Sequence, residues 1–263
     1  MKISIISATY NAASTIRSML DSVGVQTHRD IEHLVIDGGS SDGTVELVRH
    51  HGTRVSVLVS EPDQGIWDAM NKGLRMATGD VVGFLNADDE FINDGVVARI
   101  AGVMADEELD ACYADLIYVA RDDPQRMVRD WVSEPYRPDL FLKGWMPAHP
   151  TFYVRRSLYD RYGGFDLQFP LQSDFELAMR LLEVHRIRTR YVPEYWVRMR
   201  SGGQSNASLG RILRGNWEAY RIARHHGLAV SPWYPVAKVL SRLPQFLSRR
   251  WPPAPGRIRC PPP

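Results

Sequence analysis

The stretch Glu32-His33-Leu34-Val35-Ile36-Asp37-Gly38-Gly39-Ser40-Ser41-Asp42-Gly43-Thr44 decides how this chain folds. An apolar, β-branched run ends on a carboxylate, a glycine-rich turn follows, and residues 44–51 continue with helical periodicity, so the unit reads strand, loop, helix. Ser41 or Asp42 stands where that helix needs a cap. The alternation repeats on either side. Strands are expected at residues 3–8, 54–60 and 81–86, and helices at residues 15–25 and 66–77, the second closed by Gly79. Short strands alternating with amphipathic helices give an α/β fold: a Rossmann-like, mostly parallel central sheet flanked by helices.

Each strand runs into a polar loop: Thr9-Tyr10-Asn11, then Asp37 to Thr44, then Glu61-Pro62-Asp63-Gln64-Gly65, then Asn86-Ala87-Asp88-Asp89. In an open α/β sheet these loops lie along the carboxyl edge, where ligands bind. Four loops therefore converge on one crevice. Beyond it the pattern is less regular, with helices expected at residues 96–105, 157–162 and 174–184 and strands at 111–119, 127–131, 188–192 and 195–199. No internal repeat is present, and no sharp boundary marks a second domain.

The chain can bury a full core, with 44% hydrophobic residues. Its 32 Lys and Arg against 31 Asp and Glu give a net charge of +1, which supplies no general attraction for nucleic acid. Cys112 and Cys260 have neither disulfide-framework nor zinc-ligand spacing, so a reducing, cytoplasmic compartment is expected. The first apolar run is too short for a signal-peptide core, and no window reaches the roughly 20 apolar residues of a spanning helix.

Asp88 and Asp89 end a buried strand, where adjacent carboxylates repel unless a cation or ligand hydroxyls satisfy them. Mg²⁺ or Mn²⁺ needs few protein ligands, because waters and substrate phosphates complete its shell. Read alone, the pair is better explained as the start of a capped turn. The Asp37 loop tells more. A carboxylate leaving a strand beside two glycines suits a nucleoside and its hydroxyls, and a capped turn leaves Asp37 unexplained. Neither G-x-G-x-x-G nor G-x-x-x-x-G-K-[ST] occurs, which argues against a dinucleotide oxidoreductase and a P-loop ATPase.

Together with Trp67-Asp68-Ala69-Met70-Asn71-Lys72-Gly73, these loops resemble the inverting, GT-A-fold glycosyltransferases of family 2. So do the later blocks His149-Pro150-Thr151-Phe152, Gly163-Gly164-Phe165-Asp166, Ser173-Asp174-Phe175-Glu176-Leu177 and Gly202-Gly203-Gln204-Ser205-Asn206. The resemblance spans residues 3 to 206 and implies a GT-A-like domain over residues 1–226, donor half 1–110 and acceptor half 111–226, followed by an extension at 227–263. It implies sugar transfer from a UDP- or GDP-sugar to a hydroxyl of a glycan or lipid-linked acceptor in cell-envelope synthesis. Thr9, Tyr10, Asn11 and Asp37 would hold the base; Asp63, Asp68 and Lys72 would line the donor pocket. Asp88 would meet ribose or metal, and Asp89 the metal. Asn86 departs from the family's D-x-D, which leaves fewer carboxylates for the ion.

The resemblance also makes Asp174 the catalytic base, with an N-cap as its structural alternative. Glu176, two residues on, points to another face of the same helix start, as a helper or a structural residue. His149 is either a contact to metal or diphosphate or a packed ring. Arg198, Arg200 and Gln204 either close a loop over phosphates or form solvated surface. From Arg221 onward the chain has eight Lys or Arg and no Asp or Glu, and it ends in a Pro-rich run. That tail reads as a frayed basic extension, or as peripheral contact with an anionic inner membrane face. Two rival functions are a sugar-phosphate nucleotidyltransferase, whose glycine-rich basic loop is missing after the first strand, and a non-catalytic nucleotide-sugar-binding protein.

Overall fold

The computed structural model describes residues 1–121, 123, 126–201, 209–231 and 234. The first half alternates β1 (Ile3–Thr9), α1 (Ile16–Gly24), β2 (Ile31–Asp37), α2 (Thr44–His51), β3 (Val55–Ser60), α3 (Ile66–Met76) and β4 (Val81–Phe84). Then come β5 (Asp89–Phe91), α4 (Val96–Met104), β6 (Ala111–Val119) and β7 (Met127–Trp131). β8 (Tyr153–Arg155), α5 (Arg156–Tyr162), α6 (Ser173–Met179), β9 (Thr189–Arg200) and α7 (Leu209–His225) complete the described elements.

All nine strands among the described residues join one sheet in the order β3-β2-β1-β4-β8-β6-β9-β5, with β7 beside β6. The half β3-β2-β1-β4 is parallel throughout. β8 then runs antiparallel to both β4 and β6, and β9 lies parallel to β6. Successive units step outward from β1 to β3, and the next crossover returns to the other side of β1. The loops after β1 and β4 thus flank the point where the winding reverses, the usual crevice for a ligand.

The two faces bury separate cores because alternate strand residues point opposite ways. Ile6, Leu34, Ile36, Val82 and Phe84 pack with residues of α3, α6 and α7; Ile3, Ile5, Val35, Val81 and Leu85 pack with α1 and α4. Helix α1 shows why it docks, since Ile16, Met19, Leu20 and Val23 form one buried stripe. Each such side chain contributes about 1.5–3 kcal/mol.

Several boundaries differ from expectation. β4 stops at Phe84, so Asn86 belongs to the loop. Gly79 does not close α3: the helix ends at Met76, and the Gly79 N–H donates to Ser4 Oγ at 2.9 Å. Gly43, at φ 92°, is the cap residue of α2, while Asp42 Oδ1 accepts the Thr44 N–H at 3.1 Å from just outside. Helix α6 turns into a π-helical segment over Arg180–Val184. The two strands expected at 188–199 are one, because the register shifts around Asp115 absorb Pro193, which has no N–H for a regular ladder. Basic Arg221 and Arg224 lie within α7 rather than in a frayed end. The block at residues 202–206 and residues 235–263 of the tail lie outside the described residues. Among the described residues, no helix is long and apolar enough to cross a membrane.

His33 on β2 carries a pH signature. It is 1% exposed, with Nε2 at 3.0 Å from Ser7 Oγ, and burial lowers its pKa from 6.5 to about 4. Between those values the unfolded chain takes a proton that the folded chain refuses, so stability falls as pH drops below 6.5. The expected loss between pH 6.5 and about 5 is about 2 kcal/mol, measured by urea unfolding. His33→Gln should flatten that slope; an unchanged slope would show that His33 is not the titrating group.

Candidate active site

Asp37, at the end of β2, is 1% exposed and accepts five hydrogen bonds. They come from Thr9 Oγ1 on β1, from Ser60 Oγ on β3, and from the Gly39 N–H, Ser40 N–H and Ser40 Oγ in its own loop. Burial by itself would raise its pKa, but the hydroxyl and amide donors outweigh that and hold it below the ordinary carboxylate value. An ionised Asp37 therefore ties three strand ends together. Its loop needs Gly39 at φ +84°, where a Cβ is strained, and Gly38, where a Cβ would meet Asp63 Oδ2 at 2.5 Å.

The loop after β1 is laced to the loop after β2. The Asn11 N–H donates to Ser40 Oγ at 2.7 Å, and Asn11 Oδ1 accepts the Ser41 N–H at 3.0 Å. Tyr10 between them is 63% exposed. The next loop is held from α3: Lys72 Nζ reaches Glu61 at 2.8 Å and donates to the Pro62 carbonyl at 3.0 Å. Its hydrogen bond with Glu61 keeps the ammonium above its ordinary pKa. Asp63 Oδ1 accepts the Gly65 N–H at 2.8 Å, and Asp68 Oδ2 accepts the Gln64 N–H at 3.1 Å. Side chains expected to touch a donor thus also shape the loops that form the crevice.

The fourth loop differs because its polar groups are unsatisfied. Asp89 is 0% exposed, and neither its carboxylate oxygens nor Asn86 Oδ1 makes a well-formed hydrogen bond to a described residue. Burial, then the charge of Asp88, raises the Asp89 pKa well above its ordinary value, and loose polar contact from the Asn86 side chain and backbone only partly opposes this. Burial also raises Asp88, opposed by its own backbone amide and by Arg200 and Arg121. Asp88 is the partly exposed member of the pair and Asp89 the buried one. Buried polar groups left unpaired in this way point to a missing ligand or ion.

Neither expectation for Arg198 and Arg200, a closing loop or solvated surface, describes them: they are largely buried on β9, paired with β5 beside Asp89. Arg200 Nη2 donates to Glu90 Oε1 at 2.9 Å and to Ser18 Oγ at 3.0 Å, and Arg198 lies 3.5 Å from Glu90. Two guanidinium groups share one carboxylate, which leaves positive charge beside Asp88. Glu90 escaped the sequence reading; the matching Arg-x-Arg spacing on β9 was its available signal. Gln204 lies outside the described residues.

His149 stacks on Phe84 with centroids 5.2 Å apart and meets Trp67 and Phe165 edge-on at 6.0 and 5.7 Å. Its Nε2 is buried without a hydrogen-bond partner. Burial lowers its pKa, and the charge of Asp174 partly opposes that. Asp174 is therefore electrostatically linked to a ring that caps β4, the strand leading to Asn86 and Asp89. Trp67 Nε1 donates to the Pro170 carbonyl at 2.8 Å, which fixes the loop before α6 against α3. The Asn71 amide pairs with the Phe165 peptide through two 2.8 Å bonds, a clamp the sequence reading missed.

Asp174 is the second residue of α6 rather than its cap, and Oδ1 accepts the Phe175 N–H at 2.8 Å. Glu176 turns the other way, 2% exposed, with its carboxylate on Arg180 and His226. It belongs to the packing of α6 rather than to the crevice. Among the described residues no three His, Cys, Asp or Glu side chains converge as a ready-made metal cluster. The hard oxygens of Asn86, Asp88 and Asp89 nevertheless fit a Mg²⁺ or Mn²⁺ ion whose shell is completed by water and phosphate.

The sequence pattern of the family described as Glycosyl transferase family 2 matches residues 4–163. A PGL/p-HBAD biosynthesis glycosyltransferase of Mycobacterium bovis (strain BCG / Pasteur 1173P2) is 30% identical over 194 residues, 72% of this chain and 73% of the relative. An uncharacterized glycosyltransferase of Mycobacterium tuberculosis (strain CDC 1551 / Oshkosh) is 31% identical over 180 residues, 68% of each chain. Among solved structures, S. aureus TarS 1–349 in complex with UDP matches with a TM-score of 0.67 at 19% identity, covering 95% of this chain and 71% of that one. A mannosyltransferase from Pyrobaculum calidifontis, in complex with GDP-Man and Mn²⁺, matches with a TM-score of 0.60 at 21% identity, covering 92% and 69%. The parallel β3-β2-β1-β4 half, the antiparallel strands beyond it and these likenesses describe a GT-A-like fold. The chain belongs to glycosyl transferase family 2.

Proposed function

We propose that this glycosyltransferase moves a sugar from a UDP- or GDP-sugar to a hydroxyl of a cell-envelope glycan or lipid-linked saccharide, with inversion at the anomeric carbon. One observation carries the reading: the oxygens of Asn86 and Asp89 lack well-formed hydrogen bonds just past β4, the strand whose Phe84 stacks on His149, at the carboxyl edge of the parallel half of the sheet. The nucleotide-bound and Mn²⁺-bound relatives support the choice of donor and ion.

The Asp37-ordered loops would seat the base, with Tyr10 beside it, and the Asp63 to Lys72 segment would line the donor pocket. Asn86, Asp88 and Asp89 would hold Mg²⁺ or Mn²⁺, Asp88 from the exposed side; when bound, the ion supplies Lewis-acid stabilisation of the departing diphosphate. The Asp174 carboxylate takes the acceptor hydroxyl's proton as the oxygen attacks the anomeric carbon and the sugar–phosphate bond breaks. No covalent sugar intermediate forms. Positive charge shared by Arg198 and Arg200 favours the diphosphate.

A thermal-shift screen of UDP- and GDP-sugars, with and without Mn²⁺, tests the donor half without an acceptor. Ligand at about a hundred times its Kd should raise the midpoint by roughly 5 °C or more. The rise should need the ion. If no nucleotide sugar shifts the transition under either condition, the donor reading is wrong.

A further inference from the structure

Helix α7 turns an unusual face to solvent. Leu213, Arg214, Trp217, Arg221 and Arg224 recur at three- and four-residue spacing and are all exposed, Leu213 by 66% and Trp217 by 56%. Ala219, Ile222 and Ala223 occupy the opposite side and are buried in the core. The helix has one acidic residue, Glu218; it is 8% exposed and accepts the Leu171 N–H at 2.7 Å, although Arg221 lies near enough to affect it. Packing inside the domain does not need a stripe of leucine, tryptophan and three arginines. The stripe runs for roughly 16 Å along the helix.

We propose that this face of α7 docks the protein onto an anionic lipid surface. Leucine and tryptophan would enter the interface between headgroups and acyl chains, and the arginines would meet lipid phosphates. Charge decides between this occupant and the chain's own tail. Residues 235–263 carry six Lys or Arg and no Asp or Glu, so like charges oppose their covering Arg214, Arg221 and Arg224. The surface belongs to the folded part of the chain, upstream of the extension to which the sequence assigns membrane contact. It also has a direction: α7 and Pro170–Leu171 line a groove of about 610 Å³, and Asp174 follows Leu171 by three residues. Docking through α7 would open the Asp174 side of the molecule toward the lipid.

The test is co-sedimentation of the full chain with phosphatidylcholine vesicles and with equimolar phosphatidylcholine and phosphatidylglycerol vesicles. Binding should be at least about tenfold stronger to the anionic vesicles and should weaken with salt. The double variant Leu213→Ser with Trp217→Ser, and separately Arg214→Glu with Arg221→Glu, should each weaken it by about tenfold or more. Thermal unfolding of both variants should match the parent, because the altered side chains are exposed. Parental vesicle binding in both variants would assign any membrane contact to the tail and overturn the proposal. So would a changed oligomeric state with unchanged vesicle binding, which would give the face to a second copy. Nucleotide-sugar binding is read separately, so failure here leaves the donor reading untouched, and the converse holds.

Discussion

Asp174→Asn is expected to slow sugar transfer by about 10²- to 10⁴-fold, the range a positioned general base contributes. Asparagine keeps the side chain's size and an oxygen for the Phe175 N–H, now 2.8 Å from Oδ1, so α6 should form as before. Asparagine cannot take the acceptor's proton. Release of nucleoside diphosphate in the presence of acceptor is the readout, alongside the thermal shift produced by donor and Mn²⁺. The shift should stay within about 1 °C of the parent, because Asp174 is assigned to the acceptor and not to the nucleotide. The substitution also removes the charge that partly offsets burial at His149, so that ring moves further toward its neutral form. A variant that keeps more than about a tenth of the parental rate would show that another group takes the proton.

Which parts of this arrangement can be read from the chain follows from how local their causes are. The strand-loop-helix unit around Asp37 is legible because β-branched alternation, paired glycines and helical periodicity all fall within about twenty residues. The three-residue strands β5 and β8 carry too few positions for any period to show. Pro193 reads locally as a break, whereas the strand continues through it because β6 shifts register opposite. Helix α7 is diluted by Gly210, Gly215 and Asn216, and its exposed stripe disguises the buried one.

The site divides in the same way. The sequence shows a carboxylate at the end of β2, but the Thr9 and Ser60 hydroxyls that occupy it come from two other strands. Asp88 and Asp89 look alike in sequence; burial of Asp89 as the first residue of β5 separates them. Asp174 and Glu176 share one helical turn, about 200° apart, so their opposite directions are foreseeable. Which of them faces the core depends on His226, fifty residues later.

That last dependence yields the second large effect, on stability rather than rate. Glu176→Gln should cost about 3 kcal/mol and lower the thermal midpoint by roughly 10 °C. Glu176 Oε1 lies 2.8 Å from both Arg180 Nε and His226 Nε2, and Oε2 accepts from Arg180 Nη2 at 3.0 Å. Arg180 continues the chain of bonds to the carbonyls of Tyr162, at the end of α5, and of Gly163 and Gly164 just after it. One buried carboxylate thereby joins the π-helical segment after α6, the loop after α5 and the end of α7. Glutamine fills the space but supplies no charge, and the Arg180 guanidinium, whose side chain is 13% exposed, loses its counter-ion. Burial alone would raise the Glu176 pKa, yet the His226 and Arg180 bonds hold it below 4.5. The network therefore stabilises the fold fully above that value and loses its contribution as pH falls through the folded pKa. Urea unfolding should show the full difference between parent and variant at neutral pH and a smaller one well below pH 4.5. A neutral-pH difference below about 1 kcal/mol would instead class the cluster with solvated surface pairs, and α6 would then be held in place by its apolar face alone.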